Sequence, residues 1–266
     1  MALITSNVQL TPTDTAPAGG NATEGSIYWD NSESRMKGYT GGAFRDTNTY
    51  TAVPDGLVAW YKDGGAQDFA GGFHGTLTDG LPEPDEYAGP WVGTKRATLY
   101  GETTGYVVLP TTNGGQSNFP DGAKARTLTM WVKPNGTLDS SDYLFGFGGG
   151  ATSLAFNARG TSNKLSFMGH GNDHDGYGSY TYSTGTWVRI FYTYDGTNVA
   201  TWTTTNGTVT QNWTSARALN TGTSTASIGA HANSPSTHND THCTIRDFRI
   251  YSRLLSVAEM QLMWLE

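Results

Sequence analysis

Five of the six histidines in this chain fall in two short polar stretches. "GHGNDHDGYGSYTY" carries His170, Asp173, His174 and Asp175, and "AHANSPSTHNDTHC" carries His231, His238, Asp240 and His242. Imidazoles and carboxylates together are ligands for zinc or iron. The same groups beside aromatic rings also hold sugars, by ring faces and a few directed hydrogen bonds. Neither spacing repeats a metal signature, and "NDHDG" lacks the later acids of a calcium-binding EF-hand loop. The first stretch also contains Tyr177 and Tyr180, and Trp213 follows a predicted turn in "TQNWTS". His170, Asp173, His174, Tyr177, Tyr180 and Trp213 are therefore the candidate carbohydrate-binding residues. The alternative for the aromatics is to finish strands and pack at the ends of the sheets.

Other catalytic chemistry finds less support. "PEPDEY" over Pro82–Tyr87 holds three acids, but its prolines make it a solvated loop. Cys243 follows His242, yet a nucleophilic pair needs a depressed thiol pKa and an open cleft. Its position just before a core strand reads as a buried thiol. The chain has no Gly-x-Ser-x-Gly elbow and no phosphate loop leading into a helix. The expectation is a protein that is not an enzyme and has no catalytic residues.

These side chains must be carried by a β framework. The chain has 266 residues, a net charge of −7, only 15% charged residues and 35 glycines. The length allows one large β domain, or two smaller ones, with a real core. The acidic balance argues against nucleic acid as a partner. No run approaches the roughly 18 apolar residues of a membrane helix, so no membrane partner is expected. A single cysteine excludes an intrachain disulfide. "MALITSNVQLTPTD" has neither a charged start nor a long apolar run, so the expectation is synthesis in a cytoplasm without a secretory leader.

Short runs rich in Val, Ile, Thr, Tyr, Phe and Trp alternate with Gly/Asn/Asp turns, and helical periodicity is nearly absent. "LVAWY", "ATLYG", "GYVVLP", "RTLTMWVKP", "YLFGFG", "SLAFNAR", "KLSFMG", "WVRIFYTYD", "NVATWTTT", "ASIGAH" and "TIRDFRIYS" are the strand candidates. "YDGTN" and "TTNGTV" predict hairpin turns. About a dozen such strands define a sandwich or barrel. Trp131, Val132, Trp187, Ile190 and Tyr192 are expected on inner sheet faces, and Trp60, Trp131 and Trp187 as packing residues rather than sugar platforms. One helix is predicted at the C-terminus, where Ser256 and Glu259 form a capping box. The segment 1–53 stands apart: a Pro/Gly/Thr-rich arm, then short strands at Ser26–Trp29 and Arg35–Tyr39 and a third segment. A β unit of some 25 residues needs a partner to bury its surface, and the domain boundary is placed near Pro54, with 54–266 as the main domain.

The order of segments from "GLVAWYKDGGAQD…GFHGTL" through "RTLTMWVKP" and "WVRIFYTYDGTN" to "IRDFRIYSRLLSVAEMQ" resembles laminin-G-like domains of the concanavalin A-like lectin/glucanase superfamily, over roughly residues 55–266. That resemblance implies an all-β jelly-roll sandwich of two antiparallel sheets. It also implies a calcium ion held by Asp68, by carbonyls near Gly71 and Gly72, and by Asp247. The chain departs from the family pattern at Arg246, which stands where relatives carry an acid, so Arg246 paired with Asp68 is the alternative to the metal. The Glu-x-Asp-x-x-Glu pattern of the family's glucanases is absent.

"TEGSIYWDNSESRMKGYTGGAFRD" is similar to a small motif of bacteriophage tail-fibre and other virion proteins. Together the two resemblances imply a virion structural protein of decoration, collar or tail-fibre type. Its N-terminal region would bind other virion proteins, its chains would assemble as a trimer, and its sandwich would sit on the virion surface to bind a glycan. The alternatives are a non-viral carbohydrate-binding or adhesion module and a glycoside hydrolase.

Overall fold

A computed structural model describes residues 54–61, 66–78, 106–114, 116–139, 142–149, 155–169, 179–231 and 242–265, together with the backbone of strands at 12–13, 27–30, 35–40, 43–46, 84–85 and 97–100. The chain divides into two compact units, Met1–Val53 and Pro54–Glu266.

In the first unit, Ile27–Asp30, Arg35–Thr40 and Ala43–Asp46 form an antiparallel meander. Pro12–Thr13 adds to its edge in parallel, opposite Trp29 and Asp30. Part of the Pro/Thr-rich arm is thus a strand rather than linker.

The second unit is a sandwich of two antiparallel sheets. The larger runs in the order Thr208–Ala216, Asn198–Thr205, Val188–Tyr194, Arg126–Pro134 and Cys243–Tyr251. The last of these is long enough to take two neighbours: Ala97–Tyr100 pairs with its first half and Leu57–Tyr61 with its second. Pro84–Asp85 extends the Ala97–Tyr100 side. The smaller sheet runs Lys164–Met168, Ala155–Thr161, Tyr143–Gly148, Thr225–Ile228, Tyr106–Val108 and Thr76–Thr78. This is the jelly-roll arrangement that the segment order implies.

Alternation decides which side chains meet between the sheets. Leu128, Met130 and Val132 face inward with Val188, Ile190, Tyr192 and Tyr194. They meet Leu144, Phe145, Phe147, Phe156, Leu165 and Phe167 from the smaller sheet. Phe145 stacks on Phe248 across the gap, with centroids 4.8 Å apart. Each such side chain, fully buried, contributes about 1.5–3 kcal/mol.

The expected shared inner face for Trp131 and Val132 is corrected here, because adjacent residues in a strand point to opposite faces. Val132 lies in the core, whereas Trp131 points outward and is buried there against Trp264, 5.1 Å between centroids. Trp187 also lies on the outer side, where Arg246 and Lys133 stack on its ring.

The turns follow their residues. Asn206 and Gly207 have φ of 49° and 76° and close a two-residue hairpin between Thr205 and Thr208, the left-handed pair that Asn-Gly accepts. Ser162 and Asn163, at φ 51° and 59°, do the same between Thr161 and Lys164.

The helix Val257–Leu262 begins at the expected capping box: Ser256 accepts from the Glu259 amide, and the Glu259 carboxylate accepts from the Ser256 amide. Arg253 grips the same carboxylate with two nitrogens. The helix is pinned to the larger sheet by the Leu255 amide, which donates to Thr127 Oγ1, and Met260 and Met263 are buried.

Candidate functional site: the Trp60 hub and the rim of the sandwich

The glycine-rich loop after Leu57–Tyr61 is organised by Asp68, which is only 3% exposed. Its Oδ1 accepts the amides of Trp60 (2.7 Å) and Ala70 (2.9 Å), and its Oδ2 those of Gly71 (3.0 Å) and Phe73 (2.9 Å). The Phe69 amide returns to the Trp60 carbonyl, and Tyr61 donates its hydroxyl to the Phe73 carbonyl. Gly71 is required because a Cβ would stand 2.4 Å from the Phe73 ring and 2.5 Å from the Val58 carbonyl. The loop closes on itself.

Asp247 sits on the other side of Trp60. It occupies a bulge in Cys243–Tyr251, at φ 49°, where the register opposite Thr129–Trp131 shifts. Its Oδ1 accepts Trp60 Nε1 (2.6 Å) and Arg249 Nε (2.9 Å), and its Oδ2 accepts Arg189 Nη1 (2.6 Å) and Arg249 Nη2 (3.0 Å). Burial pulls this carboxyl toward higher pKa, but the guanidiniums of Arg249 and Arg189 overcome it and hold Asp247 below the usual carboxylate range. Arg249 also stacks on the Trp60 ring at 4.2 Å.

A carboxylate offers about four lone-pair directions. Asp68 and Asp247 each accept four hydrogen bonds from the protein. The set Asp68, Gly71 and Asp247 therefore does not fit a calcium ion as it is arranged. The alternative partner for Asp68 is corrected as well: main-chain amides fill its lone pairs, and Arg246 lies over the rings of Trp187 and Trp131, at 4.6 and 5.4 Å. Sequence reasoning missed Arg189 and Arg249. The available signal was an arginine at an outward position in each of two strands whose alternate residues are apolar; Arg249 is registered opposite Thr129, and Arg189, opposite Trp131, donates to Thr129 Oγ1.

Asp142, fully buried, accepts the amides of His242 (2.6 Å) and Asp139 (2.6 Å), and it meets His242 Nδ1 at 3.1 Å. Burial raises the Asp142 pKa, against those hydrogen bonds. Cys243 points into the core, and burial raises its pKa well above the ordinary value. It has neither the thiolate character nor the access of a nucleophile.

Of the candidate sugar-binding residues, His170, Asp173, His174 and Tyr177 lie outside the described residues, as do Asp175, His238 and Asp240. His231 is buried, edge-on to Tyr143 at 4.6 Å. Tyr180 and Trp213 are half-buried and pack against the core from one side of the sandwich. The strap Ser179–Tyr182 carries Tyr180, and the edge strand to which it is bonded carries Trp213. Its Ser179 amide reaches the Asn212 carbonyl at the edge of the larger sheet, its Thr181 bridges to Lys164 at the edge of the smaller one, and Tyr180 packs edge-on to Tyr182. Arg217 stacks on Trp213 at 5.6 Å. Among the described residues, no group of three or more His, Cys, Asp or Glu is placed to hold a metal ion.

Two antiparallel sheets packed face to face, with a terminal helix on the outer face of the larger one, define a lectin-type jelly roll. The laminin-G-type model of the concanavalin A-like lectin/glucanases superfamily matches residues 101–261, well over half the chain, and the protein belongs to that superfamily. No curated protein matches it in sequence. Among solved structures, it is similar to domain 4 of AbnA, an extracellular arabinanase from Geobacillus stearothermophilus in complex with arabinotriose. The two are 19% identical over 79% of this chain and 97% of that domain, with a TM-score of 0.58. It is also similar to the binding domain of Paraclostridial Mosquitocidal Protein 1, at 15% identity, 79% and 52% coverage and a TM-score of 0.56. The binding domain of Botulinum Neurotoxin DC in complex with SialylT matches at 14% identity, 79% and 51% coverage and a TM-score of 0.53. The chain thus spans nearly all of the arabinanase domain and about half of each toxin binding domain.

Proposed function

We propose that this protein is a non-enzymatic glycan-binding module displayed on a virion, with Met1–Val53 attaching it to other virion proteins and Pro54–Glu266 presenting the sandwich outward. The observation that carries the reading is the pairing of a separate small N-terminal unit with a superfamily sandwich similar to toxin binding domains, one of them in complex with SialylT, and to an arabinanase domain in complex with arabinotriose. Support for the virion comes from the phage-like pattern of "TEGSIYWDNSESRMKGYTGGAFRD". A trimer follows from the same resemblance. Recognition is assigned to the side of the sandwich that carries Tyr180 and Trp213, together with His170, Asp173, His174 and Tyr177, which precede Tyr180 in sequence. Fold alone does not fix function, so the test is direct. Particles purified from the source should contain the chain by mass spectrometry. The full-length protein should scatter light as a trimer and bind immobilised polysaccharide without releasing reducing ends. Absence from particles ends the virion reading, and release of reducing ends ends the non-enzymatic one.

The arabinanase domain favours one second reading, a carbohydrate-binding module unconnected to a particle. A monomer that binds polysaccharide and is missing from particles would establish it.

A further inference from the structure

Arg126 is a fully buried cation at the start of its strand, with its guanidinium 4.9 Å from the rings of both Phe156 and Tyr194. Burial lowers its pKa to about 10. Its hydrogen-bond partners are the carbonyls of Pro120 and Gly122 and, at 2.8 Å, Thr221 Oγ1. Burying a guanidinium against carbonyls costs more than burying an apolar side chain of the same size. What that cost secures is the shape of the loop 117–125.

The loop is also held from its other end. The Asn118 amide donates to the Thr111 carbonyl at 2.8 Å, and Asn118 Nδ2 donates to the Pro110 carbonyl at 2.7 Å. Phe119 is wedged edge-on between Phe73 and Phe147. A pocket of about 460 Å³ opens between this loop, Val58 and Ser252, within the roughly 300–1,000 Å³ of small-ligand sites.

The polar wall of the pocket offers both donors and acceptors. Ser117 donates its hydroxyl to the Phe119 carbonyl (2.6 Å) and Ser252 to the Gly56 carbonyl (3.3 Å), which leaves their oxygen lone pairs to a ligand. Asn118 Nδ2 gives one N–H to the Pro110 carbonyl and keeps the other. Lys124 is the charged residue of the lining, and it is ion-paired with Asp121. Such a wall, over an apolar floor of Val58, Phe119 and Pro120, matches a ligand whose hydroxyls both donate and accept and which turns a C–H face to the floor.

We propose that this pocket is a preformed subsite for one ring of a neutral saccharide. The proposal rests on the glycan-binding reading and gives it a location distinct from the Tyr180–Trp213 rim.

The test uses the full chain and ligand-observed saturation-transfer NMR, followed by titration calorimetry. The probes are glucose, galactose, N-acetylglucosamine and arabinotriose against glucuronic acid and N-acetylneuraminic acid. Ser252→Trp fills the mouth from an exposed position and leaves the fold intact, which its melting curve checks. Gln211→Ala, exposed on the edge strand beside Asn212, tests the rim. The expected result is binding of a neutral probe, weakened about tenfold or more by Ser252→Trp, a loss of at least about 1.4 kcal/mol, and unchanged by Gln211→Ala. Affinity untouched by Ser252→Trp but lost in Gln211→Ala overturns the pocket and keeps glycan binding. Stronger binding of the acidic probes overturns the assignment to a neutral ligand. Binding of no probe by the wild-type chain overturns both readings.

Discussion

Asp247→Asn removes one negative charge and changes little else in size, and the geometry around it sets the cost. Two guanidiniums are anchored to this carboxylate, from Arg189 and Arg249, whose side chains are 0% and 2% exposed. Taking the counter-charge from such buried cations costs about 3–5 kcal/mol. Asparagine keeps one carbonyl oxygen and tolerates the φ of 49° at this bulge, so the expected loss lies near the lower end, about 3 kcal/mol. For a unit of about 200 residues, that lowers the melting temperature by about 6–12 °C.

The pH dependence follows from the direction of the shift. The Asp247 carboxyl is held below its ordinary value in the folded state. Its contribution is therefore complete above the unfolded value of about 3.9 and disappears as pH falls through the lower, folded one. Urea and thermal melts followed by tryptophan fluorescence, at pH 7 and in steps below pH 4, measure both effects. The difference between wild type and variant should be full at pH 7 and shrink in acid. A deficit under about 1 kcal/mol would place the cluster with ordinary surface pairs and refute the argument from burial. A deficit that persists unchanged in acid would remove the carboxylate charge as its cause.

Other expectations are as direct. Gly71→Ala forces a Cβ into Phe73 and Val58 and should cost about 1–3 kcal/mol by overpacking, whereas Gly72→Ala meets nothing within 4 Å and should cost about 1 kcal/mol for its φ of +73° alone; denaturant melts separate the two. The hydrogen bonds from Arg253, with those from Ser256, lower Glu259 to about 2, so Glu259→Gln should lose about 1–2 kcal/mol at neutral pH. That loss is complete above the unfolded glutamate value and fades as pH falls toward 2. Calcium chloride or EDTA should leave the melting temperature within about 1 °C, since a ligand that binds the native state must raise it; a rise with calcium that Asp68→Asn abolishes would show that the Asp68 loop opens to take the ion. The Cys243 thiol should react with a disulfide reagent only in denaturant, and a stoichiometric reaction in native buffer would show that the Cys243–Tyr251 strand opens.

The sandwich was legible because its strands obey local rules. The core strands Arg126–Pro134 and Val188–Tyr194 are built from β-branched and aromatic residues, and the Asn-Gly and Asp-Gly turns fall between paired strands. The strand Thr208–Ala216 escaped notice because it forms an edge of its sheet: "TVTQNWTSA" is half exposed and carries little apolar alternation. The face of Trp131 was misassigned because burial was equated with the inter-sheet core, whereas the terminal helix buries part of the outer face too. The carboxylates Asp68 and Asp247 were singled out through the family resemblance, as calcium ligands rather than as the acceptors of protein N–H groups that they are. Their partners were not, because pairing of Asp247 with Arg189 joins residues 58 positions apart, and the bulge at Asp247 has no local sequence signal. Nor does the sequence show that Ser117 and Ser252 turn their protons inward, which follows only from the carbonyls beside them.

The Ser179–Tyr182 strap ties one edge of each sheet together, through Asn212 on one side and Asn163 and Lys164 on the other. It acts as a clasp inside the chain: backbone groups of Asn212 and Asn163, at the two outer strands, are taken up by the strap itself. Those outer strands are where a sandwich begins to part and where a second chain would pair with it, so the same four residues that hold the layers together also occupy part of the surface on which unwanted pairing would start.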